Sequence, residues 1–220
     1  EKEGIKVKVP VTKKKVTNKT MKSQFVEFLV RHNSLTRFGF DAWIFYPGML
    51  FNDLSTWWGD RGVRLRAHEG LDFCFYRDTG GQDRSLREKT MIPMMYEGEI
   101  VRIGDDFLGK SIFVSHNIYD ACGNRLHTIY GHMNPYSGVT IGKVVGEGEL
   151  IATIADTGKR TTKIPPHVHI SVAWMPKSFP YERLDWKTMS DRSVVTLCDP
   201  LEFIECKYKV ERYGRDIIKA

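Results

Sequence analysis

Short apolar segments separated by glycines follow one another from Val63 to the C-terminal part of the chain. Closely spaced segments of this kind, with turn residues between them, are typical of an antiparallel sheet or a β-sandwich. The pattern therefore predicts a mainly β fold. The predicted strands cover residues 99–103, 111–114, 128–130, 139–141, 150–154 and 167–172.

Polar and apolar residues alternate in two stretches of the chain, and each of these stretches begins with a histidine. In the stretch from His167 to Val172, polar and apolar residues alternate, and the stretch from His68 to Phe75 places Leu71 and Phe73 opposite Asp72. Alternation with a period of two is expected of a strand with one face on a core and the other open. Both stretches are therefore predicted to be strands that border a groove.

Candidate metal ligands fall on the polar faces of these two stretches. Side chains two or four residues apart in a strand point the same way, so His167 and His169 share a face, as do His68 and Asp72. Imidazole and carboxylate groups are ligands that zinc prefers. The two strands, placed side by side, would form a metal site.

A helical zinc motif of the form His-Glu-x-x-His does not explain the first pair. His68-Glu69 begins such a pattern, but position 72 is Asp, and Gly70 disfavours a helix. The prolines at 165–166 likewise disfavour a helix before His167.

The N-terminal part of the chain differs in composition from the predicted β region. Residues 1–20 are charged and lack periodicity, which indicates an arm, and the stretch from Met21 to His32 has apolar residues at helical spacing. The aromatic residues between Trp43 and Trp58 are expected to be packing residues rather than a ligand platform. We predict an N-terminal extension at 1–55, with a basic arm and a short helix, a main domain at 56–206, and a charged tail at 207–220.

Composition narrows the possible partners and location. With 220 residues, of which 41% are hydrophobic, the chain can bury one core, and no stretch is apolar enough to predict an integral membrane segment. A net charge of +6 favours an anionic surface, although much of it lies between Lys2 and Lys22 and is equally consistent with a solvated tail. Because the chain begins at Glu1, we expect a processed product that has lost a signal segment. The four cysteines form no Cys-x-x-Cys pair, and Cys198 and Cys206 are candidates for pairing.

The order of several motifs resembles peptidase family M23, the zinc endopeptidases of the LytM and lysostaphin type. The resemblance extends from about Asp60 to Phe203, and together its motifs are highly specific. The loop from Gly80 to Thr90 is longer and more charged than is usual in the family. The motifs are Trp58-Gly59-Asp60-Arg61, His68-Glu69-Gly70-Leu71-Asp72-Phe73, Glu97-Gly98-Glu99-Ile100-Val101, Tyr130-Gly131-His132, Thr157-Gly158, Pro166-His167-Val168-His169 and Cys198-Asp199-Pro200-Leu201.

This resemblance implies a fold, a cofactor and a role for five residues. The fold is an open antiparallel β-sheet or sandwich of the M23 type, and the cofactor is Zn²⁺. The implied metal ligands are His68, Asp72 and His169, and the implied catalytic residues beside the metal-bound water are His132 and His167.

Other residues compete for places at the site. His116 is a candidate for the groove, whereas His127, five residues from His132, is expected on the opposite face of their strand. Glu69 is expected to be solvated. If the N-terminal extension folds across the site, Asn33 and Asp41 are candidates to occupy an open metal position.

The leading functional prediction is a zinc metalloendopeptidase of the cell envelope, periplasmic or extracellular, that hydrolyses peptide bonds in peptidoglycan stems or cross-bridges. The alternative is a catalytically silent module of the same fold that binds cell-wall peptides or regulates another hydrolase. A nucleic-acid binder ranks last, because no nucleic-acid motif accompanies the positive charge.

Overall fold

A computed structural model describes residues 22–157 and 164–212 of the chain. Strands predominate in this part of the chain, which confirms the mainly β prediction. The helices are α1 (Phe25–His32) and α2 (Trp186–Met189), with 3₁₀ turns at Leu35–Phe38, Tyr181–Arg183 and Pro200–Glu202. The strands are β1 (Phe40–Phe45), β2 (Leu71–Phe73), β3 (Phe75–Asp78), β4 (Asp83–Ser85), β5 (Met91–Pro93), β6 (Gly98–Asp105), β7 (Lys110–Tyr119), β8 (Arg125–Pro135), β9 (Val144–Val145), β10 (Leu150–Ile154), β11 (Val168–Met175), β12 (Thr196–Cys198) and β13 (Tyr208–Val210).

The larger sheet positions the candidate site. Its main path runs β12-β11-β8-β7-β6-β9, and these neighbours pair antiparallel. β2 adds to the free edge of β11 beside its N-terminal end, while β10 pairs with both β8 and β5. Strand β11, which carries His169, is therefore flanked by β8 on one side and by β2 on the other.

A smaller sheet has the order β13-β1-β3-β4 and draws on both ends of the described chain. β1 pairs antiparallel with β3 and parallel with β13. The region predicted as a C-terminal tail thus begins with a strand. The remainder of that tail and the basic arm at 1–20 lie almost wholly outside the described residues.

The main core lies between the two sheets and under α1. Phe25 and Leu29 of α1 are fully buried, as are Trp43 of β1 and Phe73 of β2. The rings of Phe25 and Trp43 contact Phe73 at centroid distances of 5.9 and 4.9 Å. The predicted short helix is confirmed, and it begins at Phe25. Its apolar residues repeat at the spacing of one helix face, so that this face can pack on the core.

A second apolar cluster covers the opposite face of the large sheet. Phe113 and Ile129 pack there against Leu184, Met189 and the segment around α2. Sequence periodicity did not predict α2, since a helix of four residues is too short to show one. The predicted strand at 139–141 was wrong. Those residues form turns in which Val139 N–H donates to Tyr136 and Lys143 N–H to Thr140.

Two further findings concern the cysteines and membranes. All four cysteines are free thiols, so Cys198 and Cys206 are not paired in this structure. None of the helices within residues 22–157 and 164–212 has the length and apolar character needed to cross a membrane.

Candidate metal centre and active site

Strand register places Asp72 beside His169. Asp72 of β2 and Gly131 of β8 are the direct partners of His169 on its two sides. The Oδ1 atom of Asp72 lies 2.8 Å from Nδ1 of His169. Two predicted ligands that are 97 positions apart in the sequence thus meet because their strands are neighbours.

His68 joins this pair from an irregular segment rather than from a strand. Strand β2 begins only at Leu71, so the prediction that His68 and Asp72 share one strand was wrong. The Nε2 atom of His68 nevertheless lies 3.0 Å from Nδ1 of His169 and 3.2 Å from Oδ1 of Asp72. The structure therefore brings together three of the residues predicted as metal ligands.

Gly70 explains why the segment before β2 can approach β11 so closely. A Cβ atom at this position would lie 2.2 Å from the carbonyl oxygen of Ile170 and 2.7 Å from Nε2 of His169. Backbone atoms cannot yield to such a contact, so only glycine fits. Because this segment lies so close to β11, the side chain of His68 reaches His169.

Gly70→Ala is expected to disrupt the metal centre although it removes no ligand. The added methyl must displace Ile170 or His169, so metal affinity should fall by about 10–100-fold, the range for loss of ligand support. Metal titration of the purified variant measures this change. Gly104→Ala is the matched control, because nothing lies within 4 Å of a Cβ there. Equal metal affinity in the two variants would contradict the role of Gly70.

The donor chemistry of these three residues fits a metal ion. His68 donates its Nδ1–H to the carbonyl of Leu50, at 3.1 Å, which leaves Nε2 as a donor atom for a metal. Ser171 Oγ lies 2.8 Å from Nε2 of His169 and can accept its proton, which leaves Nδ1. Donor atoms about 2.0–2.1 Å from a tetrahedral ion are ~3.3 Å apart, close to the separations found here. All three residues are buried, and their donor atoms lie within 4.8 Å of one another.

Trp57 fixes the orientation of Asp72. Its indole Nε1–H donates to Oδ2 of Asp72 at 2.7 Å, so that Oδ1 faces the two imidazoles. Burial opposes ionisation of this carboxyl, but neighbouring His68 and His167 outweigh burial and hold the pKa of Asp72 well below its usual range. Asp72 is therefore the anionic member of the ligand set. Trp57 is buried in the main core, as expected of a packing residue, and its hydrogen bond to Asp72 is an additional role.

His167 and His132 border the same cavity without joining the three-residue cluster. Their ring centroids are 4.7 Å apart, and His167 Nε2 is 3.9 Å from Oδ1 of Asp72. The Nδ1–H of His167 donates to the carbonyl of Pro165 at 2.8 Å, so its Nε2 carries no proton. Burial lowers the pKa of His167 to about 3, which keeps this imidazole neutral near pH 7.

His132 reaches the cavity because its backbone departs from the regular strand. Its φ of 68° is in the left-handed region, which is rare for a residue with a side chain. Strand alternation alone would place His127, not His132, on the face of His169. The prediction that His127 lies on the face opposite the metal site was therefore wrong. His127 is on the same face of the sheet as His169, but it lies farther along the sheet, where it pairs with Ala173.

Asp106 holds His132 in this conformation and was missed by the sequence analysis. Its Oδ2 accepts the backbone N–H of His132 at 2.8 Å, and its Oδ1 lies 3.1 Å from the ring Nδ1. Burial would raise the pKa of Asp106, but the hydrogen bonds from His132 outweigh it and lower that pKa far below the usual range. The Asp106 carboxylate can accept the Nδ1–H of His132, which leaves the Nε2 atom of His132 for the cavity. No sequence signal links Asp106 to His132, because an aspartate in a loop normally caps its own turn.

The remaining candidate residues have other partners. His116 is buried between the carbonyl of Glu97 and the hydroxyl of Thr128, and His127 contacts Arg125 and Tyr181. Asn33 bonds to the backbone of Met91, and Asp41 pairs with Lys207. Among the described residues, these four do not line the cavity at the metal centre.

The cavity beside the metal centre has a volume of about 320 Å³. Glu69 is half-buried, lines this cavity and accepts a hydrogen bond from Ser190. Aromatic side chains and Arg64 complete the walls. The lining residues are Trp58, Arg64, His68, Glu69, Asp72, Asp106, Phe107, His132, His167, His169 and Trp186.

The structure combines an open antiparallel sheet with a buried His-Asp-His cluster and two adjacent imidazoles that line one cavity. Residues 77–180 match the model of peptidase family M23, a stretch that includes His132, His167 and His169. This part of the chain is therefore similar to peptidase family M23.

Three solved structures are similar to this chain. The solution structure of lysostaphin is 23% identical with a TM-score of 0.39, over 62% of this chain and 42% of that one. Helicobacter pylori Csd3 is 22% identical with a TM-score of 0.40, over 68% and 30% of the two chains. A putative peptidase M23 from Pseudomonas aeruginosa is 20% identical with a TM-score of 0.40, over 82% and 60%. The chain thus spans less than two thirds of each structure. No curated protein matches it.

Proposed function

We propose that this protein is a zinc-dependent endopeptidase that hydrolyses peptide bonds in peptidoglycan stems or cross-bridges. The match of residues 77–180 to a peptidase family supports hydrolysis of peptides. The single observation that carries the proposal is that three buried metal-ligand side chains and the imidazoles of His132 and His167 line one cavity. A cell-envelope location, periplasmic or extracellular, is part of the same proposal.

His68, Asp72 and His169 would hold the metal ion. Two imidazoles and one carboxylate leave a fourth position for water, as in catalytic rather than structural zinc sites. Zinc bound there supplies Lewis-acid activation of that water and of the scissile carbonyl. Trp57, Leu50 and Ser171 orient the three ligand side chains by hydrogen bonds.

His132 and His167 would carry out the proton transfers. The Nδ1–H of each ring can donate to a fixed acceptor, which leaves Nε2 of each ring available for proton transfer. Peptide hydrolysis requires a proton to leave the water and a proton to reach the departing amine. Two imidazoles whose rings are 4.7 Å apart can share these tasks, and the protonated form of either can donate to the developing oxyanion.

A catalytically silent module is the second candidate, and cleavage distinguishes it from the enzyme. We expect the protein loaded with one equivalent of zinc to cleave purified peptidoglycan fragments, and dialysis against a chelator to abolish cleavage until zinc is restored. Mass spectrometry of the products identifies the bond. Full zinc occupancy without cleavage of any fragment would favour the binding module.

Asp106→Asn is expected to lower kcat by about 10–10³-fold while the metal remains bound. The amide cannot replace both carboxylate oxygens as acceptors, so the tautomer and position of His132 are lost. Steady-state kinetics and metal analysis of the same preparation test this. The matched control is Asp105→Asn, because the Asp105 side chain is 85% exposed and pairs only with Lys110 among the described residues. A kcat equal to that of the control would exclude a positioning role for Asp106.

A further inference from the structure

A second cavity, of about 530 Å³, adjoins the metal centre. Trp58 lines both cavities, so they meet at this indole. Trp57 also connects the metal centre with the second cavity. Its Nε1–H donates to Asp72, and its ring contacts Phe75, which lines the second cavity, at a centroid distance of 5.8 Å. A ligand at the metal centre that extends past Trp58 therefore enters the second cavity.

The β3–β4 hairpin forms one wall of this second cavity. Arg77 and Phe75 of β3 and Arg84 and Asp83 of β4 all line it. The hairpin contains the beginning of the loop from Gly80 to Thr90, whose sequence is expected to be longer and more charged than is usual in family M23.

Arginines outnumber acidic residues around the second cavity. Arg61, Arg77, Arg84 and Arg212 line it, against Asp83 and Glu211. Arg77 is already neutralised, because it pairs with Asp83 through two nitrogens and with Glu211 at 2.9 Å. Four arginines against two acidic side chains give the lining of the second cavity a net positive charge.

Arg84 is the arginine best placed to bind a ligand. Its Nε pairs with Asp78 at 2.7 Å, and within the described part of the chain no hydrogen bond engages its two terminal nitrogens. The side chain is 46% exposed. A guanidinium that is anchored at Nε and open at its outer edge can receive a carboxylate in a bidentate geometry. The aromatic rings of Tyr46 and Phe75 provide an apolar floor beside it.

We propose that the second cavity is a substrate subsite for a carboxylate-bearing part of the peptide, occupied while the scissile bond lies at the metal centre. This inference rests on the proposed endopeptidase function for its placement in the reaction. It assigns substrate selection to the β3–β4 hairpin. An uncharged peptide of the same shape would bind the metal centre equally well but forgo the contact with Arg84.

Calorimetry with two synthetic peptides tests the subsite without requiring turnover. The probes are tetraglutamate and tetraglutamine, titrated into the zinc-loaded protein. The wild type is expected to bind tetraglutamate about three- to tenfold more tightly, and Arg84→Gln is expected to remove most of this preference. Arg87→Gln is the matched control, since Arg87 is exposed on the same loop, carries the same charge and does not line the cavity.

The outcomes separate the subsite from general attraction to a basic protein. Preference for tetraglutamate that is lost in Arg84→Gln but kept in Arg87→Gln supports the subsite. Equal loss in both variants, or no preference in the wild type, overturns it. Failure of the wild type to cleave any peptide would refute the proposed function and leave the binding comparison interpretable. With a cleaved substrate, Arg84→Gln should raise KM for a glutamate-containing peptide and leave kcat unchanged.

Discussion

His169→Ala is expected to abolish both metal binding and hydrolysis. His169 is paired with Asp72 across two strands and also faces His68, so its loss removes the central member of the ligand set. Loss of a residue that only hydrogen-bonds to a metal ligand costs about 10–100-fold in metal affinity. Loss of a ligand itself should therefore raise the Kd for zinc by more than ~100-fold. Elemental analysis after dialysis and a cleavage assay on the same sample measure the two effects.

The control for this variant is His127→Ala. His127 is also buried and lies on the same face of the sheet, but it contacts Arg125 and Tyr181 rather than the metal centre. It should retain zinc and activity, and circular dichroism establishes that both variants fold. Stoichiometric zinc in folded His169→Ala would show that His169 is not a ligand.

Substitution of His132 or His167 by alanine is expected to have the opposite pattern, with zinc retained and kcat lowered. Neither residue belongs to the three-residue cluster, and each has its Nδ1 within hydrogen-bond distance of a fixed acceptor, which leaves Nε2 for the cavity. Loss of a general acid or base costs about 10²–10⁴-fold in rate. Single-turnover cleavage and zinc content should be measured together, because only their comparison separates proton transfer from metal binding.

The double variant gives a further check. If the two imidazoles share one proton-transfer cycle, removing both should cost little more than removing one, since residues that act as a unit are strongly non-additive. Fully multiplicative effects would indicate independent roles. Loss of zinc from both single variants would instead overturn the division between ligands and catalytic residues.

Sequence reasoning predicted the strands well where short apolar runs are separated by turn residues. β10 lies at the predicted residues, and β6, β7 and β8 contain the predicted ones. It failed for residues 139–141 because a short apolar run in a turn resembles a strand, and only tertiary contacts distinguish the two. It also missed β13, whose three residues acquire their conformation by pairing with β1 from the other end of the chain.

At the site, residue types were easier to predict than geometry. His169 lies on β11, as alternation predicted, and His167 directly precedes that strand. His68 instead reaches the site from a loop, and this loop can approach β11 only because Gly70 has no Cβ atom. The left-handed backbone of His132 breaks the alternation that would otherwise place it on the far face. Asp106 and Trp57 support the site through hydrogen bonds, and such contacts across the fold leave no local pattern in a single sequence.

The pairing of β1 with β13 has a practical consequence for solubility. A chain trimmed to residues 56–206 would lose both strands and leave β3 with one unpaired edge. Open edges of this kind invite pairing with other molecules, and removal of α1 would also uncover the aromatic rings around Phe73. Aggregation of the trimmed chain is therefore expected even though every metal-centre residue would be present.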